Sequence, residues 1–133
     1  MSFLDKAALL AAAAQSLPIE KVDVPELGGF IYIRAMSGVE RDAWEKSLIT
    51  GRGKRRDVDT TNVRAKLVAR TATDEKGQRL FDDGDAAALG NLRVDALTKL
   101  FAVAQRLSGV TDEDVEELGK HSAPAAGNDS PTS

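Results

Sequence analysis

Cysteine is absent from the 133 residues. That removes disulfides, thiolate metal sites and cysteine nucleophiles together. Histidine occurs once, at His121. A Ser-His-Asp triad or a histidine metal site would have to be built on that residue. It stands in a small, polar C-terminal stretch that offers no preorganisation. Aromatics are scarce: one Trp, one Tyr and four Phe. Trp44 and Tyr32 are singletons and suit a core better than a stacking platform. Long apolar runs are missing as well. Ala7 to Ala14, the longest, is too short and too rich in alanine to span a membrane. The opening MSFLDK lacks the basic start of a secretory signal. Net charge is -3 and the pI about 5.2, which argues against a nucleic-acid binder. Together these absences predict a binding protein with no catalytic, cofactor-binding or metal-ligating residue.

What remains is an ordinary globular share of apolar residues, 42%, but Ala supplies 20 of them. Only 36 larger apolar side chains are left for the core. A core this thin permits stabilisation by a partner or by a homo-oligomer.

The longest unbroken helical pattern is Asn91 to Gly109, NLRVDALTKLFAVAQRLSG. Val94, Leu97, Phe101 and Ala104 share one face, which Leu100, Val103 and Leu107 widen. Asn91 suits an N-cap and Gly109 a left-handed C-cap. The rest of the chain is expected to pack around this helix, with Leu97 and Phe101 at the centre of the core.

Phe3 to Gln15 reads as an Ala/Leu helix capped by Ser2 and ended by Pro18. Val22 and Val24 then alternate with Lys21 and Asp23, PELGG supplies a turn, and FIYIR is β-branched and aromatic. The spacing predicts a β-hairpin over about 19–35. Ser37 and Glu40 form a capping box that opens a helix over about 38–49, with Val39 and Ala43 on one face. Asp42 and Lys46 suit an i,i+4 ion pair. Thr50 to Asp59 reads as a loop, and Thr60 or Thr61 caps a helix over 61–71. A turn follows at Asp74 to Gly77, then a short helix at 83–89 capped by Asp82 or Asp83, the long helix at 92–108, and a helix at 112–118 opened by Thr111 and Asp114. The fold class expected is mainly α with a small N-terminal β-hairpin (α+β). One helical domain covers 1–118, and residues 119–133 form a disordered tail.

Three clusters invite chemistry. In GRGKRR, Arg52, Lys54, Arg55 and Arg56 could contact phosphates or an acidic partner. Walker A chemistry fails there, because Leu48 stands where the first Gly belongs and Arg55 replaces Ser/Thr. The default reading is a solvated loop. Asp82, Asp83 and Asp85 hint at calcium, but Ala87 and Val94 occupy the fifth and twelfth positions of such a loop. Helix capping accounts for these acids better. Glu116 and Glu117 read as a solvated face.

The order of these features carries a resemblance. VxVPELGGFIYIR leads to MSGVERDAWEKSL, then NVRAKLVARTATDEKGQRLF, DDGDAAALG and LTKLFAVAQRLSGVTDEDVEEL. From Val22 to Leu118 this resembles the tail assembly chaperones of long-tailed bacteriophages and prophages. The most specific pieces are the GxERDAWE helix and the LFxVAQRLSGxTxEDVEEL end.

The resemblance implies a protein of the host cell cytoplasm, absent from the finished virion. It implies that the chain keeps the tape-measure protein soluble and helps tail-tube subunits assemble around it. It also implies a longer form, made by ribosomal frameshifting, that recruits the tail-tube protein; Gly119-Lys120 permits a slippery codon run. Two alternatives of other classes stand beside it. One is a small regulatory or adaptor protein contacting nucleic acid or an acidic partner through Arg52–Arg56. The other is a structural head–tail connector.

Overall fold

The computed structural model describes residues 2–50, 57–58 and 62–121. Its most enclosed element is α3, Val63–Thr71. Val63, Ala65, Leu67, Val68, Ala69 and Thr71 are all buried along it. Helix α3 packs on α5 (Val94–Ser108), α4 (Ala86–Leu89), α2 (Gly38–Ser47) and strand β2 (Gly29–Arg34). The long helix is therefore one wall of the core, and the chain folds around α3. Trp44, Ile33, Leu48, Leu67 and Val68 are the large apolar side chains enclosed most completely. Leu97 and Phe101 are buried at 9% and 7% exposure, so they sit at the core's margin and not its centre.

Strand β1 (Ile19–Val24) pairs antiparallel with β2, from Ile19↔Arg34 to Val24↔Gly29. Between them, Pro25 opens a single 3-10 turn, and Gly28 closes it with φ 82, a left-handed conformation that costs glycine nothing. Val22, Val24 and Ile33 point inward onto α5 and α3. The hairpin gains a third strand, β5 (Ala72–Thr73), which pairs with β2 through Tyr32↔Thr73 and Ile33↔Ala72. The chain then reverses at Asp74, whose carboxylate accepts the Lys76 and Gln78 N–H groups at 2.8 and 3.0 Å.

Two capping boxes form as the sequence spells them. Ser37 Oγ accepts the Glu40 N–H at 3.2 Å, and Glu40 Oε1 accepts the Ser37 N–H at 2.9 Å. At helix α6 (Asp112–His121), Thr111 Oγ1 accepts the Asp114 N–H at 3.0 Å, and Asp114 Oδ2 accepts the Thr111 N–H at 2.9 Å.

Several boundaries differ from the sequence expectation. Helix α1 spans Lys6–Ala13 because Asp5, not Ser2, takes the cap, accepting the Ala8 N–H at 2.9 Å. Helix α2 stops at Ser47, two residues early, and its i,i+4 ion pair is Arg41–Glu45 at 3.9 Å rather than Asp42–Lys46. Val39 is 79% exposed, so it shares no buried face with Ala43. Helix α3 starts at Val63, after Asn62 in a left-handed conformation. The 83–89 segment is a 3-10 turn over Asp83–Asp85 followed by α4. Helix α5 starts at Val94, because Asn91 still bonds back to Ala88 in the preceding turn. Val94 is thereby left 73% exposed at the helix start, outside the buried face. Helix α6 runs on to His121, so Gly119 and Lys120 belong to it, and 122–133 lie outside the described residues.

Candidate functional surfaces

Between the start of α3, the middle of α5 and helix α6 lies an open cleft of about 630 Å³. Its floor is apolar: Val63, Leu97, Phe101 and Val115. Its rim is charged, with Arg64 on one side and Asp112 and Glu116 on the other. The Arg64 guanidinium sits 5.8 Å from the centre of the Phe101 ring, close enough for a cation–π contact. Gly90 completes the wall, and a Cβ there would fall 2.6 Å from Asn62 Oδ1. The backbone approaches Asn62 too closely for any other residue to fit without a shift.

Helix α6 forms one side of this cleft and is held from α2. Arg41 Nη2 lies 3.4 Å from Asp114 Oδ2. The Thr111 N–H, the Thr111 hydroxyl and Arg41 together hold the Asp114 carboxyl below its ordinary range. Gln105 Nε2 donates to Asp112 Oδ1 at 2.9 Å, tying α6 to α5 as well.

A second cleft, about 230 Å³, opens at the tip of the hairpin. Val24, Leu27, Phe30, Leu89, Leu92 and Leu100 line it, and none of them is polar. Leu27 and Phe30 remain 47% and 55% exposed at its mouth. Phe30 meets Tyr32 edge-on at 5.7 Å, and Lys21 Nζ lies 4.3 Å over the Phe30 ring.

The residues singled out in the sequence fall as follows. Arg52, Lys54, Arg55 and Arg56 lie outside the described residues. The segments flanking them pair as β3 (Ile49–Thr50) and β4 (Asp57–Val58), where the sequence suggests a helix end at Ile49 and loop from Thr50 to Asp59, and β4 packs beside α6. The Asp82–Asp85 cluster is occupied by structure: Asp85 Oδ2 accepts the Asp82 N–H at 3.0 Å, and Asp83 pairs with Arg70 at 2.5 Å and Arg79 at 3.0 Å. Trp44 is fully buried and Tyr32 is partly buried against its neighbours. Among the described residues no group of His, Cys, Asp and Glu is arranged to hold a metal. No described helix is long and apolar enough to cross a membrane. Both clefts escaped sequence reasoning, since each is lined from three or more separated segments.

Comparison with solved structures finds the same fold in the bacteriophage HK97 tail assembly chaperone. The TM-score is 0.52 and the identity 16%, over 77% of this chain and 98% of that one. No curated protein sequence matches the chain. The family model for phage tail assembly chaperones matches residues 5–121, every described helix from α1 to α6 included, and the chain belongs to that family.

Proposed function

We propose that this chain holds the tape-measure protein soluble in the host cytoplasm while tail-tube subunits assemble around it, and that it is absent from the finished particle. It acts by binding and not by catalysis. Family membership supports the reading, and the observation that carries it is the cleft between α3, α5 and α6. An apolar floor with charged rims suits the apolar face of a helical client, with the rim fixing its orientation. Arg52, Lys54, Arg55 and Arg56 supply a secondary contact to acidic client surface, as four cations within one short stretch of sequence.

The tail-tube protein is recruited by a longer, frameshifted form of the chain. A slip at the Gly119 and Lys120 codons would place the branch in the last turn of α6. The shared module would then be nearly complete before the two products diverge.

Co-expression tests the reading. A tape-measure fragment made with this chain should stay in the soluble fraction and co-purify with it. Replacing Leu97 or Val115 at the cleft floor by Asp should return the fragment to the pellet. If the fragment is equally insoluble with and without the folded chain, the reading is wrong. Finding the chain in purified particles would move it to the connector class.

A further inference from the structure

Strand β2 is longer than the strand that covers its far edge. It pairs with β1 from Gly29 to Arg34, but β5 reaches only Tyr32 and Ile33. The Ala35 N–H donates to the Pro18 carbonyl at 2.9 Å, which fixes the phase of the β1–β2 ladder. Antiparallel partners alternate between bonded and non-bonded pairs, so Ile33, Ile31 and Gly29 spend their backbone groups on β1, while Tyr32 and Phe30 turn theirs to the other edge. Tyr32 meets Thr73 there. Phe30 meets no strand, because the chain turns away at Asp74, whose N–H donates to the Gln78 carbonyl at 2.9 Å. A free N–H and C=O on a strand edge form a template for another strand.

Two clefts meet at that gap. The hairpin-tip cleft and a shallower one of about 340 Å³ both include Phe30 and Ile31 in their walls. Phe81 stands in the wall of the first and Leu80, 51% exposed, in the wall of the second. Together they form a groove beside the free stretch of β2. Its two ends differ in chemistry. Toward the hairpin tip the lining carries no charge. Toward β5 the charged residues of the wall are Asp74 and Glu75, both acidic. The Asp74 carboxylate already accepts the Lys76 and Gln78 N–H groups, whereas Glu75 is exposed and has no ion-pair partner among the described residues. Lys21 rests on the Phe30 ring at 4.3 Å and belongs to neither wall. The groove shares no lining residue with the cleft between α3, α5 and α6.

We propose that this groove takes an extended segment of a partner protein, which adds to β2 where β5 ends. The segment's backbone pairs with the Phe30 N–H and carbonyl. A bulky apolar side chain enters the hairpin-tip cleft against Leu27, Leu89 and Leu100. A Lys or Arg a few residues away meets Glu75, with Asp74 beside it. The main-chain bonds supply affinity, and the two side chains choose the segment. A helical occupant has its backbone groups already bonded and would leave those of Phe30 unmet. The proposal goes beyond client binding and uses a different part of the molecule.

A fluorescent peptide of Ser and Thr carrying one Leu and, a few residues away, one Arg tests it by anisotropy. Saturable binding is expected, with slowed exchange of the Phe30 amide in the complex. Leu→Ser in the peptide should cost about tenfold or more in affinity. Arg→Glu should weaken binding several-fold, and Glu75→Lys in the chain should restore it for that peptide. N-methylating alternate peptide nitrogens should abolish binding in one phase and spare it in the other. Leu27→Asp and Leu80→Asp, at exposed positions and checked for folding by circular dichroism, should each abolish binding. No saturable binding of the peptide to the unaltered chain would overturn the proposal. Equal binding in both phases of N-methylation would overturn it, since strand addition would be absent. Full binding to both folded variants would overturn it by placing the peptide elsewhere. Sedimentation velocity of the two variants should match the unaltered chain, and association lost in both would overturn the proposal by assigning the groove to a second copy.

Discussion

Lys99 Nζ lies 3.1 Å from Glu26 Oε1 and donates to the Asp23 carbonyl at 3.3 Å, so one side chain of α5 clamps the hairpin turn from both sides. A backbone N–H in the turn, and then Lys99, hold the Glu26 carboxyl below its ordinary range. A lowered carboxylate stabilises the fold fully above the ordinary Glu pKa, and its contribution disappears as pH falls through the lowered folded value. Melting temperature should therefore fall as pH drops through the acid range. Lys99→Met should make that fall shallower while leaving the backbone hydrogen bond in place. An unchanged slope in Lys99→Met would show that the clamp contributes nothing to stability.

Asp114 combines a capping role on α6 with an ion pair to Arg41 on α2. Asp114→Asn removes the charge at both contacts. The expected result is faster amide hydrogen exchange through α6, with α3 unaffected, because the helix loses its tie to α2 while the core stays closed. Uniform protection across both helices in the variant would assign the docking of α6 to its apolar side alone.

The centrality of α3 separates two substitutions. Leu67 is fully enclosed, and Leu67→Ala should cost about 2–5 kcal/mol in urea denaturation. Val94, at the start of α5 and largely exposed, should tolerate Lys within about 0.5 kcal/mol. The reverse order would restore α5 as the centre of the fold.

These residues also show what was legible in the sequence. Capping boxes at Ser37–Glu40 and Thr111–Asp114 are local, and the chain spells both out within four residues. The β1–β2 hairpin is equally local, its alternation and its turn glycines lying within one short stretch. Strand β5 was not legible. Two residues, Ala72 and Thr73, carry no alternation, and they become a strand because the end of α3 delivers them beside β2. The importance of α3 was masked by its composition. Ala65 and Ala69 carry little apolar area, yet they allow close packing against Ala86, and Lys66 and Arg70 reach partners on other elements. Val94 fitted the helical spacing but fell beyond the core because the preceding turn delays the start of α5. The clefts required knowing which separated segments meet, and helix periodicity holds no such information.

Gly109 ends α5 with φ 69, and Val110 behind it is buried, its N–H donating to the Gln105 carbonyl at 3.0 Å. Gly109→Ala places a Cβ in left-handed backbone and should cost about 1–2 kcal/mol. A Cβ there would meet nothing within 4 Å, so the loss measures conformation alone. Chemical denaturation gives the value directly. An unchanged midpoint would mean that the helix end relaxes to another cap.

The most direct test of the account is whether purified chain keeps a tape-measure protein from aggregating. Denatured tape-measure protein is diluted into buffer with and without the chain, and light scattering is followed. Scattering should be suppressed at comparable molar amounts, and the effect should persist at high salt, because the cleft floor is apolar and exposed charge pairs are the part that salt screens. Leu97→Asp, if it remains folded, should abolish the suppression, while neutralising Arg52, Lys54, Arg55 and Arg56 should weaken it only slightly. Equal scattering with and without the chain would contradict the account.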